Sequence, residues 1–565
     1  MQSPISRARG LPPLRLVIVT LDAHFASALD RVRRVLAREA PGLEISLHAA
    51  SDWAEDAEAL AAAKADVARA DIVLNAMLFL DDHIRAILPE LTARRAEADA
   101  MVSIVSAQEV VKLTRAGKLD MGKPEKGAIA LLKKLRGKRG GSSGSSGAGQ
   151  MAMLRRIPKI LRFIPGTAQD LRSYFLAMQY WLNGSDENLA NLIRMLVDRY
   201  ASGPRAGWRG VLKVGDPVDY PESGVYHPAL PGRVSEDADE LPARGGEAGT
   251  VGLVILRSYV LSKDTGHYDG VIAALEAAGL RVIPAFAAGL DARPAMERYF
   301  MEDGRTAVDA VVSLTGFSLV GGPAYNDSAA AEEILARLDV PYLAAHALEF
   351  QSLEAWGASA RGLMPVESTI MVAIPELDGA TNPLVYGGRS DGAGLPCQGC
   401  ERHCIFGRET ARDMHACQER AERLACRVRR LVRLRERAVA DRRVAVVLFN
   451  FPPNAGATGT AAYLSVFESL HNTLISLRDA GYSLDVPESV EALREAVLGG
   501  NAERYGTDAN VAARIPADDH VREARYLPEI EAVWGAAPGR QQSDGAAIQV
   551  LGRQFGNVFV GIQPG

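Results

Sequence analysis

The sequence predicts a multidomain α/β protein, in which several doubly wound parallel-sheet domains are joined by a helical connecting segment. Three observations carry this reading. Short β-branched runs alternate with stretches whose apolar residues recur at three- and four-residue steps, the pattern of parallel sheets covered on both faces. The chain has 565 residues, more than the roughly 250–300 that a single hydrophobic core accommodates. Apolar residues make up 48% and charged residues 24%, the balance of an ordinary globular protein.

The first block, 1–132, opens with the β-branched run LRLVIVTL at 14–21, bounded by Pro13 and Asp22 and read as a buried strand. A helix follows over 25–38, then strands at 45–48, 72–77 and 101–105 with helices between them, which makes a doubly wound domain. Residues 133–150 turn basic and then into Gly-Ser repeats, a flexible linker that cannot bury a core. The segment 151–249 begins strongly helical. Tyr174, Phe175, Met178, Trp181 and Leu182 read as an apolar stripe packing on the next domain. A second α/β block spans 250–390, with strands at 251–256, 282–286, 310–314 and 341–345. Gly316, Gly321 and Gly322 follow the third of these, and glycine there allows a sharp turn at the carboxyl edge, where open α/β sheets bind ligands. A Cys-rich insert and a long Arg-rich helix occupy 391–443. A third α/β block starts at 444 and runs to 565, closing on a strand-like run at 557–562. No short-period repeat is present.

Charge and hydropathy exclude some functions. The 64 basic and 69 acidic residues leave a net charge of −5, without the basic excess of a non-specific nucleic-acid binder. No stretch approaches the ~20 apolar residues of a membrane span, and residues 1–7 lack the apolar core of a secretory signal. The expected location is the cytoplasm. All five cysteines fall between Cys397 and Cys426, and such a local cluster points to a metal rather than a disulfide framework.

Cys397-x2-Cys400-x3-Cys404 is followed by Cys417 after twelve residues. Closely spaced thiolates on a Gly-containing loop wrap one metal centre, and a fourth from the next helix closes it. The spacing favours an iron–sulfur cluster, while His403 and His415 keep zinc open; Cys426 is the spare. A second motif runs from Phe449 to Thr460. It leaves a strand and opens a helix over 461–478, so free amides at Gly456, Gly459 and Thr460 would form an anion site. No Lys follows the second glycine, so it is not a P-loop and a carboxylate fits as well as a phosphate; the plain alternative is a tight turn capped by Thr460. Arg257 at a strand end, and His267 in the polar string Asp264-Thr265-Gly266-His267-Tyr268, are further candidates for contacting a ligand from a loop, as is His227. Asp81-Asp82-His83 reads as an acid-capped loop rather than a metal triad, because adjacent helical residues point about 100° apart. Walker, HExxH, nucleophile-elbow and triad signatures are missing.

The string Asn450-Phe451-Pro452-Pro453-Asn454-Ala455-Gly456, continued by Gly459-Thr460-Ala461-Ala462-Tyr463-Leu464, resembles the large H subunits of magnesium chelatase, which are related to the large subunits of cobaltochelatase. Further segments match in the same order: Ser313-Leu314-Thr315-Gly316-Phe317, Leu319-Val320-Gly321-Gly322-Pro323, Ile374-Pro375-Glu376-Leu377-Asp378-Gly379, and Gln554-Phe555-Gly556-Asn557-Val558-Phe559-Val560-Gly561. The Cys-rich insert is similar to the bacteriochlorophyll version, with which an iron–sulfur cluster is associated. The resemblance implies a subunit that binds protoporphyrin IX, the substrate into which Mg²⁺ is inserted. An AAA+ motor subunit and its partner subunit would hydrolyse ATP to drive the step, which agrees with the missing Walker motif. The family continues beyond the Gly-Ile-Gln-Pro stretch into a region with a His- and Glu-bearing segment. The expectation is therefore an N-terminal portion to which no catalytic residue is assigned and which is inactive alone. The same residues also admit two other functions: a tetrapyrrole- or redox-sensing module with a Cys-bound metal, and a cobaltochelatase subunit acting on a corrin.

Overall fold

The structure is a computed structural model that describes residues 8, 10–21, 25–54, 56–123, 156–243, 246–321, 326–407, 413–450 and 464–563. The basic Gly-Ser stretch and the segment holding Gly456, Gly459 and Thr460 lie outside these residues. The chain divides into two compact units, Met1–Val432 and Arg433–Gly565. No helix among the described residues is long and apolar enough to cross a membrane.

Among the described residues the first unit contains two large sheets and a two-stranded ribbon, Met301–Glu302 paired antiparallel with Arg305–Thr306. The first alternates β1 (Leu14–Thr20), α1 (Ala26–Glu39), β2 (Leu43–Ala49), α2 (Ala57–Arg69), β3 (Ile72–Ala76), α3 (Asp81–Arg94) and β4 (Ala100–Ile104), then adds the short strands β5 (Arg115–Ala116) and β6 (Leu119–Asp120). The order is β2-β1-β3-β4-β5-β6, with β1–β4 mutually parallel and β5 and β6 antiparallel. Because side chains alternate along a strand, Leu16 and Ile18 enter one core while Val17 and Val19 enter another on the opposite face. Asp56 caps α2 by accepting the amides of Glu58 and Ala59. Asp81 and Asp82 lie in the first turn of α3 rather than in a loop, where carboxylates favour the positive helix end.

Past a helical stretch at 156–161 come α4 (Thr167–Leu182) and α5 (Asp186–Tyr200), separated where Ser185 caps α5. The apolar stripe does not face the next domain, as the sequence suggests. Instead Trp181 of the stripe shares a core with Leu16, Ile18, Leu74 and Val102 of the first sheet, Tyr174 and Met178 pack against that core, and Phe175 joins a smaller cluster with Leu119, Ile157, Leu161 and Leu171. The reason is coverage: α2 and α3 pack one face of that sheet, and α1 alone is too narrow for the other.

The second sheet comprises β7 (Ser223–Tyr226), β8 (Val234–Ser235), β9 (Thr250–Val254), β10 (Arg281–Ala287), β11 (Ala310–Ser313), β12 (Tyr342–Leu348), β13 (Thr381–Arg389) and β14 (Met414–Ala416). Between β9 and β10 come α6 (Arg257–Leu261) and α7 (Gly266–Ala277); α8 (Ser328–Leu338) precedes β12, and α9 (Leu353–Ala358) follows it. The order is β14-β13-β12-β11-β9-β10-β7-β8. The five central strands are parallel, and β7, β8 and β14 are antiparallel additions. Connections run one way from β9 to β10 and the other way to β11, so the strand order reverses beside β9. A crevice opens there, lined by Val254, Leu256, Ala287, Thr315, Ser318 and Leu319, as open α/β topology requires. Gly316 and Gly321 take φ of +76° and +111°, the left-handed turns expected of glycine at this edge; Gly322 lies outside the described residues.

Helix α10 (Gln418–Glu436) follows β14. In the second unit, β15 (Val444–Leu448), β16 (Val511–Pro516), β17 (Ala547–Phe555) and β18 (Val558–Ile562) form a sheet ordered β15-β18-β17-β16, and α11 (Val466–Asp479) follows β15 in sequence. Only β15 and β18 are parallel, so this sheet is mixed rather than doubly wound. Leu448, Leu474, Val497, Val558 and Val560 form its core.

Candidate metal centre

The four cysteines of the motif come from two places: the loop after β13 carries Cys397, Cys400 and Cys404, and the junction of β14 with α10 carries Cys417. Beyond β13, Ser390 Oγ donates to Glu354 Oε1 at 2.7 Å and the Asp391 amide to Oε2 at 3.2 Å, which ties the outgoing loop to α9. The loop closes on itself where the Cys397 amide donates to the Cys404 carbonyl at 2.9 Å. Cys417 leaves β14 with its amide donating to Tyr386 O of β13 at 2.9 Å and stands at the start of α10.

This convergence sets the sulfurs of Cys400, Cys404 and Cys417 within 4.8 Å of one another; Cys400 and Cys404 are 3.7 Å apart. Cys397 stands beside them, its Sγ accepting the Gly399 amide and its thiol donating to Leu353 O, both at 3.3 Å. Cys426 is exposed on α10, outside the group. The two histidines are also outside it: His403 turns Nδ1 toward Cys397 O at 3.2 Å, and the His415 ring lies 4.8 Å from that of Phe406.

Glycine makes the loop fit. A Cβ on Gly399 would stand 2.3 Å from the Trp356 ring, and one on Gly357 would stand 2.4 Å from the Gly399 amide nitrogen. The α9 segment and the thiol loop thus interlock through two residues without side chains. Arg420, in the first turn of α10, rests on the other side of this contact. Its guanidinium is 4.8 Å from the Trp356 ring centroid and donates to Val385 O and Gly399 O.

Burial raises the thiols of Cys397 and Cys404, and it pushes Cys417 up to about 12, with the neighbouring sulfurs adding to the rise. Cys400 goes the other way: burial opposes its ionisation, but the amides of Cys404 and Arg402 and the adjacent thiols outweigh it. Amides at the start of α10 also face the sulfurs, that of Gln418 toward Cys404 and that of Arg420 toward Cys417. An all-sulfur donor set, held close and lined by N–H donors, fits a thiophilic metal that would ionise the remaining thiols.

The other sequence candidates take different places. His267 is not in a loop; it lies on α7, is buried, and packs against the rings of Tyr259, Tyr268 and Tyr386. Arg257 opens α6 and is also buried, its guanidinium donating to Pro221 O, Tyr220 O and Asn183 Oδ1. Its donors are thus directed into the fold rather than toward a solvent-borne anion. His227 is buried with Nε2 3.0 Å from Glu276 Oε1 and Nδ1 accepting the Ala229 amide. Trp356 and Arg420 carried no motif signal, because nothing in their local sequence marks their convergence on the cysteines.

The architecture defines the class: a chain of α/β sheets with a thiol cluster appended to the edge of the second. The CobN/Magnesium Chelatase family model matches residues 178–565, and the chain belongs to that family. A domain of unknown function (DUF3479) matches residues 15–175, the first sheet and its helices. The magnesium-chelatase H subunit of Cereibacter sphaeroides is 55% identical over 566 residues, covering 100% of this chain and 47% of that protein. Its counterpart in Rhodobacter capsulatus is 52% identical over 567 residues, with 99% and 47% covered. The chain spans about half the length of these relatives. Among solved structures, the catalytic subunit of cobaltochelatase from Mycobacterium tuberculosis matches with a TM-score of 0.52 at 20% identity, covering 98% of this chain and 39% of that one; it shares the fold.

Proposed function

We propose that this chain is the porphyrin-holding part of a magnesium chelatase, the ATP-dependent ligase complex that inserts Mg²⁺ into protoporphyrin IX in bacteriochlorophyll synthesis. The observation that carries this is the 55% identity, maintained across the whole chain, to the magnesium-chelatase H subunit of Cereibacter sphaeroides. Cobaltochelatase, with a corrin substrate, has weaker support, since its solved relative is only 20% identical. In this reading the site of action is the cytoplasm, and ATP is hydrolysed by an AAA+ motor protein with its partner. Mg²⁺ holds its waters tightly, so the protein's task is to hold the macrocycle while partner-driven motion helps strip the ion.

The thiol site in this reading holds a metal on Cys400, Cys404 and Cys417, with Cys397 as the fourth ligand. The C-x2-C-x3-C spacing and the resemblance favour a [4Fe–4S] cluster, which would supply a redox-active, oxygen-sensitive element. A specific observation favours zinc instead: ligands of one tetrahedral ion at ~2.3 Å stand about 3.8 Å apart, and Cys400 and Cys404 are 3.7 Å apart. Metal and sulfide analysis after anaerobic purification separates the two.

Titration of the anaerobically purified chain with protoporphyrin IX, followed by fluorescence quenching, tests the main reading. Saturable quenching at micromolar porphyrin or below supports it. A folded chain that leaves porphyrin fluorescence unchanged would sink it.

A further inference from the structure

We infer that Arg420 is the counter-ion of the thiol centre, a positioning residue that keeps a buried, negatively charged metal–thiolate group in place. This rests on the metal reading above and adds to it a residue outside the ligand set.

The argument begins with charge. Four thiolates around Zn²⁺, or around a [4Fe–4S]²⁺ core, leave the group with a net charge of about −2. Removing such a charge from water is costly unless hydrogen-bond donors or a cation stand against it. Two other arginines near the loop are already neutralised. Arg402 pairs with Glu422 at 2.6 Å, and Arg423 pairs with Glu419 at 2.6 Å and Glu401 at 3.3 Å.

Arg420 differs from both. Among the described residues it has no carboxylate partner within ion-pair distance; its donors go to the neutral carbonyls of Val385 and Gly399. It is half-buried, and desolvation works against its charge, while its favourable electrostatic contacts include the thiols of Cys417 and Cys400. A half-buried guanidinium with no carboxylate at ion-pair distance among the described residues, Glu419 favouring its charge only from farther away, is explained if the sulfurs beside it carry the negative charge.

Its position is fixed from several sides. The face of Trp356 receives the cation at 4.8 Å. The Gly399 carbonyl that accepts its Nη1 belongs to the loop between Cys397 and Cys400. The amide of Arg420 faces Cys417 Sγ. One residue therefore contacts the loop that carries three of the ligands, supports Cys417 through its backbone, and supplies charge. Outer partners of this kind are worth 10–100-fold in metal affinity when removed.

The test is metal release from the anaerobically purified chain to an excess of chelator, compared across wild type, Arg420→Gln, Arg420→Lys and Trp356→Leu. Arg420→Gln is expected to release metal about 10-fold faster or more, with Arg420→Lys, which retains the charge, recovering much of the loss. Trp356→Leu keeps the charge but removes its seat, so it should fall between wild type and Arg420→Gln; it also serves as the readout if Arg420→Gln does not fold. Equal release rates for wild type and the folded variants would overturn the assignment of Arg420 and leave the metal reading standing. So would an Arg420→Lys as fast as Arg420→Gln, because a structural role alone would not distinguish charge. A wild-type chain that carries no metal and takes up neither zinc nor iron would overturn both.

Discussion

Arg31 and Asp186 form a bidentate pair, Nε to Oδ2 at 2.9 Å and Nη2 to Oδ1 at 2.8 Å, that joins α1 to the first turn of α5. Arg31 Nη2 also donates to the carbonyl of Ser262 in the second sheet's domain. A single side chain thus ties the first sheet, the helical segment and the second sheet within the first unit. Planar, two-point contacts of this kind are stronger than single hydrogen bonds. Arg31→Met is expected to lower stability by about 1–3 kcal/mol, read as a fall in the thermal or urea midpoint. Arg31→Lys should recover only part, since an ammonium cannot reproduce the fork.

Gly399 is predicted to be irreplaceable in the thiol loop. An added methyl would meet the Trp356 ring at 2.3 Å, so either the ring or the loop must move. Either movement disturbs the seat of Arg420 and the spacing of Cys397 and Cys400. Gly399→Ala should bind less metal per chain while circular dichroism stays close to wild type. Unchanged metal content would show that the loop can relax without the ring.

Sequence pattern reveals the strands best where one strand is apolar by itself. The run LRLVIVT has a strong strand preference, and its structure, Leu14–Thr20, is buried on both faces. By contrast β13, TNPLVYGGR, contains Pro383, Gly387 and Gly388 and carries no strand signal. Its glycines are demanded by neighbours: a Cβ on Gly387 would meet His415 O at 2.3 Å, and one on Gly388 would meet Leu348 Cβ at 2.7 Å. The string around His267 has the polarity of a solvated loop. Asp264 is nonetheless buried, accepting the Met414 amide at 2.7 Å with Arg389 3.8 Å away, partners distant in sequence. The cysteines are legible because their spacing is local. Trp356 and Arg420 are not, because tertiary structure alone brings them together.

His346 gives the second sheet an acid-sensitive point. It is buried on β12, and among the described residues neither ring nitrogen has a hydrogen-bond partner. Burial lowers its pKa to about 4, against roughly 6.5 in an unfolded chain. The folded state therefore prefers the neutral ring. Its full stability holds above pH ~6.5 and declines as pH falls toward 4, by up to roughly 3 kcal/mol. His346→Leu removes the proton-binding group, so its urea midpoint should change less over that interval. Parallel pH profiles for the two proteins would show that the ring already finds a partner for its proton in the native fold.

Replacing each cysteine in turn should divide the five into two groups. Cys400, Cys404 and Cys417 share one sulfur cluster, so Ser at any of them removes a soft ligand and substitutes a poorer one. Each variant should lose most bound metal together with its thiolate-to-metal absorbance. Cys397 adjoins the group but directs its thiol to Leu353 O; as the fourth ligand it must turn toward the other sulfurs. Cys397→Ser should then lose metal as severely as Cys400→Ser. If it retained metal with only a changed spectrum, the centre would have three protein thiolates and a fourth position open to solvent or to a ligand. Cys426 is exposed and apart, so Cys426→Ser should keep full metal content, which makes it the control for the series.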